Sequence, residues 1–305
     1  MNLFLFEFAT CGESVPEQIA VEGLSMFKTL FNGFKKYFNI ISFVRKEFQE
    51  IFDLPVGSIE EFESHLEKSD VFLIVAPEDS YTLLKLTKKA EKYCQNLGSS
   101  SKAIEITSDK WRLYKKLRRK VLMPKTSKKE IGNSFLIKPR VSCGGEGIRI
   151  SSSVPRDFIA QEFIRGENLS VSLIVDETVR VISVNEQLIN NFRYIGAVVP
   201  ARIDEEKVKE VSEIAISAVE AIKGLNGYVG VDVVYADQPF VIEVNARLTT
   251  PTVAFERAYG VNVADFILGV KKRPKRFVRQ KIEKGNNFEE FFARVGNCCL
   301  RICDL

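Results

Sequence analysis

Asp232, Glu243, Asn245 and Arg247 are the residues of this chain whose types and spacing suggest chemistry most directly. Two β-rich runs, residues 229–235 and 240–244, flank the turn-forming stretch Ala236-Asp237-Gln238-Pro239, which predicts a hairpin. Glu243 and Asn245 are two apart, so in a strand they leave the same face. Asp232 faces them across the pair if the register allows it. One or two carboxylates hold Mg²⁺ when a substrate phosphate supplies the rest of its shell. An Arg beside such a site grips a phosphate or carboxylate in a fork. The plainer alternative is a solvated sheet face with a surface ion pair.

A second candidate is Ser142-Cys143-Gly144-Gly145-Glu146-Gly147, between expected strands at residues 135–138 and 148–151. Its glycines let backbone N–H groups approach phosphates that any side chain would block. Lys138 ends the preceding strand and can reach the same phosphates as a point charge. Taken alone, such a loop is equally compatible with an ordinary turn. The chain has no Gly-x-x-x-x-Gly-Lys-Ser/Thr, so a P-loop is excluded, and no Gly-x-Gly-x-x-Gly opening a helix. The single histidine, His65, lies in a charged stretch that reads as a solvated surface helix. Ser-His-Asp catalysis is therefore excluded unless His65 is the sole base. Phosphoryl transfer, which runs on positioning and charge, needs no histidine.

The elements that must position these residues fall into two patterns. Up to about residue 107, strands and helices alternate, as in a small parallel α/β unit. Its expected strands are residues 3–8, 40–44, 71–76 and 103–106; its expected helices follow residue 20 and span residues 83–97, stopped by Gly98. Ligands bind beyond the carboxyl ends of such strands. That makes Pro77-Glu78-Asp79 and Glu7-Phe8-Ala9-Thr10 candidates for substrate contact, or else plain caps and turns. Asp109 opens a helix that Pro124 ends. The pattern then turns mostly to strands, with a helix after Asp204 and a short one at residues 263–268.

Composition narrows the class. The 305 residues are 45% hydrophobic and 28% charged, enough for two or three units with their own cores. No apolar run approaches the roughly 18 residues of a membrane span. Six cysteines without a pairing pattern predict free thiols and a cytoplasmic location. The net charge of +4 is concentrated in basic runs at residues 110–129 and 271–281. With few interleaved aromatics, they predict neither a nucleic-acid nor a membrane partner.

Taken in order, Lys110, Lys138-Pro139, the Gly-rich loop, Gln161-Glu162-Phe163-Ile164-Arg165-Gly166-Glu167, Asp232 and Glu243-Val244-Asn245-Ala246-Arg247 resemble the ATP-grasp superfamily. The resemblance covers about residues 108–268. It implies an α/β fold, α+β in its C-terminal half. The implied parts are a Rossmann-like pre-ATP-grasp domain at residues 1–107, a subdomain with the Gly-rich lid at 108–165, and a subdomain with the metal site at 166–305. It further implies that Lys110 and Lys138 contact ATP phosphates, and that Ser142, Gly144, Gly145 and Gly147 cover the triphosphate. Gln161, Glu162 and Phe163 would line the adenine, and Glu167 or Asn168 would hold the ribose. Asp232, Glu243 and Asn245 would hold Mg²⁺, with Mn²⁺ as an alternative, and Arg247 would stabilise the transferring phosphoryl group.

Most members of this superfamily are carboxylate–amine ligases that form an acyl phosphate and release ADP. Over its length the chain resembles the family of ATP-grasp ligases that join L-glutamate to tyramine in archaeal methanofuran biosynthesis. The segments are Leu5-Phe6-Glu7-Phe8-Ala9-Thr10, Val21-Glu22-Gly23, Ile74-Val75-Ala76-Pro77-Glu78-Asp79, Ser108-Asp109-Lys110 and Tyr194-Ile195-Gly196. Glu78, Arg193 and Tyr194, with Arg247, are then the substrate candidates. A small-molecule kinase, a ligase for another amino acid or amine, and a non-catalytic nucleotide binder stay open, as does a homodimer.

Overall fold

Strands β1 (Asn2–Glu7), β2 (Asn39–Ile41), β3 (Val71–Val75) and β4 (Gln95–Asn96) form a parallel sheet in the order β2-β1-β3-β4. The computed structural model describes residues 1–270 and 277–305, so the basic run at residues 271–281 lies largely outside the described residues. Every residue of β3 is buried, as its unbroken Val-Phe-Leu-Ile-Val demands of a strand covered on both faces. The covering helices include α1 (Glu17–Phe34), α2 (Phe62–Leu66), α3 (Thr82–Ala90) and α4 (Ser101–Thr107).

Three expectations for this region need correction. Residues 103–106 are helical. The Ser100 hydroxyl accepts from the Ala103 N–H at 3.3 Å and the Glu91 carboxylate from the Ser101 N–H at 2.7 Å, so the segment is capped as a helix. The preceding helix stops at Ala90, and residues 95–96 add β4 to the sheet, so Gly98 stops no helix. His65 is not simply solvated: its ring lies 4.8 Å from that of Phe43, and its Nδ1 sits 2.8 Å from the Glu61 carbonyl oxygen. Beneath it, Phe6 meets Phe62 edge-on at 5.0 Å and Phe4 meets Phe62 at 5.2 Å.

After α5 (Lys110–Leu117), strands β5 (Thr126–Ser127), β6 (Phe135–Pro139), β7 (Arg149–Ser151) and β8 (Phe158–Gln161) build an antiparallel sheet in the order β5-β8-β6-β7. It has a small core of its own, Phe135, Ile137 and Ala160.

The third sheet has eight strands in the order β13-β12-β9-β10-β11-β14-β16-β15. They are β9 (Glu167–Val175), β10 (Val179–Asn190), β11 (Arg193–Val199), β12 (Gly227–Tyr235), β13 (Pro239–Asn245), β14 (Gln280–Asn286), β15 (Ala293–Val295) and β16 (Cys298–Asp304). Helix α6 (Glu205–Glu220) covers it, capped by Asp204 on the Lys207 N–H at 2.8 Å. Short helices α7 (Phe255–Tyr259) and α8 (Val263–Ile267) follow the site hairpin. The last three strands were not foreseen. They bring the chain back onto α1, where Lys28 Nζ donates to the Phe292 carbonyl at 2.9 Å. The core is continuous from the parallel sheet into the eight-stranded one.

Phe4 is fully buried at the centre of the aromatic group. Phe4→Ala is expected to cost about 3–5 kcal/mol, read as a lower denaturant midpoint with an unchanged slope.

Candidate active site

The β12–β13 hairpin forms in the register the chemistry requires. Asp232 stands opposite Glu243 and Gly230 opposite Asn245. Asn245 Nδ2 donates to Asp232 Oδ2 at 3.1 Å, and Gln187 Nε2, from β10, donates to Asp232 Oδ1 at 3.0 Å. Burial first, and Glu243 second, push the Asp232 carboxyl up to about 7. Lys110, at the start of α5, reaches Glu243 Oε1 at 3.0 Å and donates to the Ser142 carbonyl at 2.8 Å. Lys138, on β6, is 7% exposed, and among the described residues no carboxylate forms an ion pair with it. Burial pushes its ammonium down to about 8; Glu243 opposes that shift and Lys110 adds to it. Arg247 is held from behind: its Nε and one terminal nitrogen donate to the two carboxylate oxygens of Glu78, both at 2.8 Å.

These groups surround one cavity of about 510 Å³. Gly144, Gly145, Gln161, Glu162, Phe163, Asn168, Arg193 and Tyr194 line it, together with Lys138, Asp232, Glu243, Asn245 and Arg247. Gly145 has φ +79°, and a Cβ there would fall 2.0 Å from the Phe192 carbonyl oxygen, so the loop presses its backbone on the β10–β11 turn. Gly147 has φ +73° and abuts Pro139, outside the lining. Phe192 also meets the Phe163 ring at 5.9 Å, edge-on.

Several expected site residues sit elsewhere. Glu167 points outward and pairs with Lys207 at 2.5 Å; alternation along β9 turns Asn168 into the cavity instead. Lys110, Ser142 and Glu78 stand behind the lining. Glu78 is spent on Arg247. Glu7 folds back as a cap, accepting from the Ala9 N–H, the Thr10 N–H and the Thr10 hydroxyl, and burial raises its carboxyl. Neither Glu7 nor Glu78 is free for substrate.

Other lining residues were not among the expected site residues, although Glu22 lies in one of the segments that carry the resemblance. Glu22 arrives from α1 and Lys284 from β14, and only the fold brings them together. Gln187 lies on an alternating strand, but which face it takes depends on the β9–β10 register, which shifts between Val181 and Ser183.

Comparison with known proteins fits this geometry. Residues 107–251 match the family model for the ATP-grasp domain, and residues 50–104 that for the pre ATP-grasp 3 domain. The tyramine–L-glutamate ligase of Methanocaldococcus fervens is 38% identical over 81% of this chain and 87% of its own length. This chain belongs to the ATP-grasp family. The corresponding ligase of Methanocaldococcus jannaschii is 37% identical over 81% of this chain and 82% of its own. The crystal structure of an ATP-grasp superfamily protein from Archaeoglobus fulgidus superposes with a TM-score of 0.97 at 59% identity, covering 100% of this chain and 99% of that one. The chain is an ATP-dependent ligase that forms an amide, a carbon–nitrogen bond. None of its described helices is long and apolar enough to cross a membrane.

The donors of this ATP-grasp ligase fit a divalent cation. Asp232 and Glu243 are hard oxygen donors in register, and burial together with the neighbouring Glu243 charge raises the Asp232 carboxyl, a shift that a bound cation would offset. Among the described residues no third His, Cys, Asp or Glu joins them, which leaves the remaining ligands to the Asn245 amide oxygen, water and phosphate.

That shift has a measurable sign. A carboxyl raised from 3.8 to about 7 favours the folded state below the lower value, and the contribution is lost as pH rises through about 7. Metal-free, nucleotide-free protein is therefore expected to lose thermal stability between about pH 4 and 7, and Asp232→Asn is expected to flatten that slope in melts across the range.

Proposed function

We propose that the protein joins the γ-carboxylate of L-glutamate to the amine of tyramine, with cleavage of ATP to ADP and phosphate, in the methanofuran pathway of an archaeal cytoplasm. The observation that carries this reading is the buried Lys138 ammonium, without an ion-pair partner among the described residues, on one cavity with Asp232, Glu243 and Arg247. Such a site asks for an anion and a cation together, as a metal-bound nucleotide provides. The names of the curated relatives support the substrates.

ATP lies with its base between Leu136, Ile148 and Phe163 and its ribose by Asn168, all of which line the cavity. Lys138 and the backbone of the glycine loop take the phosphates, and Lys110 fixes the Ser142 carbonyl under that loop. Asp232, Glu243 and Asn245 would hold Mg²⁺, or Mn²⁺. The ion would supply charge neutralisation at the phosphate oxygens. A γ-carboxylate oxygen of glutamate attacks the γ-phosphorus, the bond to the β-phosphate oxygen breaks, and ADP leaves. Arg247, pinned by Glu78, faces the negative charge that builds on the transferring group. The neutral amine of tyramine then attacks the acyl carbon. Phosphate leaves, the nitrogen loses one proton, and the amide is formed. No side-chain nucleophile is required, consistent with a chain that has one histidine outside the cavity.

ADP release in Mg²⁺-ATP, with glutamate and tyramine added singly and together, tests the reading. Release only with both, alongside the mass of a glutamyl-tyramine amide, is expected. Release with glutamate alone and no amide would point to a kinase. Glu243→Ala is expected to lower turnover by at least about a hundredfold with an unchanged circular dichroism spectrum. Full turnover in that variant would remove Glu243 from the site.

A further inference from the structure

The cavity lining carries a pair of opposite charges that the phosphate chemistry leaves unused. Glu22, on α1, accepts from the Thr250 hydroxyl and forms an ion pair with Lys284 of β14. Both charged side chains are mostly buried, at 20% and 12% exposed, and both line the cavity. Lys284 Nζ also lies 5.2 Å from the centroid of the Tyr194 ring. The Tyr194 hydroxyl is buried beside Thr250 and completes no hydrogen bond there. Tyr194, Glu22, Lys284 and Asp232 all line the same cavity.

An ion pair taken out of water on a cavity wall is costly unless its remaining hydrogen-bonding capacity is used. A ligand that carries an ammonium and a carboxylate on neighbouring atoms can use all of it. A plain amine leaves Lys284 without a new anion, and a dicarboxylate without nitrogen leaves Glu22 without a new cation. We infer that Glu22 and Lys284 form the head-group subsite for an α-amino acid: Glu22 takes the α-ammonium, and Lys284, with the Tyr194 hydroxyl, takes the α-carboxylate. The side-chain carboxylate then extends past Tyr194 toward Asp232 and Arg247. This subsite rests on the ligase reading above and adds to it a physical reason for choosing an amino acid with an acidic side chain.

Steady-state ADP release tests it, with wild-type protein, Glu22→Gln and Lys284→Met. Glutarate, which lacks the α-ammonium, and 4-aminobutyrate, which lacks the α-carboxylate, serve as competitive inhibitors against glutamate. Each variant is expected to raise the KM for glutamate about tenfold to a hundredfold and to leave the KM values for ATP and tyramine in place. Glu22→Gln should spare inhibition by glutarate and weaken 4-aminobutyrate, and Lys284→Met should do the reverse. That crossed pattern would not come from a merely structural pair. A KM that moves for tyramine instead would give this subsite to the amine and overturn the assignment. Unmoved KM values in both variants would make the pair structural and also overturn it. Wild-type protein that releases ADP with no α-amino acid would defeat the ligase reading first, and the subsite with it.

Discussion

Charges removed from water have to be matched, and in this protein the matching is done around the end of one hairpin. Lys110 meets Glu243, Arg247 meets Glu78, and Asp232 is shared between the amides of Asn245 and Gln187. The partners come from different sheets. Glu78 follows β3 of the parallel sheet, and Arg247 follows β13 of the eight-stranded one. Their two-bond fork therefore joins two parts of the molecule while aiming a guanidinium into the cavity. Breaking a pair of this kind strands a buried charge, which costs more than the pair itself contributes. Among the described residues the arrangement leaves Lys138 without a carboxylate in ion-pair contact, and burial lowers its ammonium.

The wall behind the site is also specified by polar contacts. The Thr249 hydroxyl meets the Tyr228 hydroxyl at 2.6 Å, which meets Ser172 at 2.8 Å. Asn185 donates to Ser172 at 3.1 Å, and Ser183 bonds both Asn185 and Tyr259 at 2.6 Å. This chain of side chains runs across β12, β9 and β10 and ends under α7. Interior hydroxyls and amides are tolerable only when satisfied, and here each satisfies the next. The result fixes the register of the strands that carry Asp232 and Gln187.

Much of this was legible in the sequence because the signals were local. Glu243 and Asn245 are two apart on one strand, and a hairpin is the shortest device for setting Asp232 against them. The glycine loop, the strand before it and the Asp109 cap were likewise contained in a few neighbouring residues. Residues 103–106 failed as a strand because four alternating residues do not separate strand from helix; the capping by Ser100 and Glu91 decided it. Glu167 and Asn168 could not be told apart until β9 had a register, since one step along a strand exchanges cavity for solvent. Glu22 and Lys284 are 262 residues apart, and no spacing rule reaches that far.

The four-stranded sheet that carries Lys138 and the glycine loop holds together on Phe135, Ile137 and Ala160, apart from the main core. Lys110 donates to the Ser142 carbonyl of its glycine loop, and Gly145 and Phe163 meet Phe192 of the β10–β11 turn. The eight-stranded sheet, by contrast, binds the Asp232 floor and the Lys284 wall into one hydrogen-bonded lattice. The cavity is therefore walled by residues of two sheets, one resting on a small core of its own and the other on the main core.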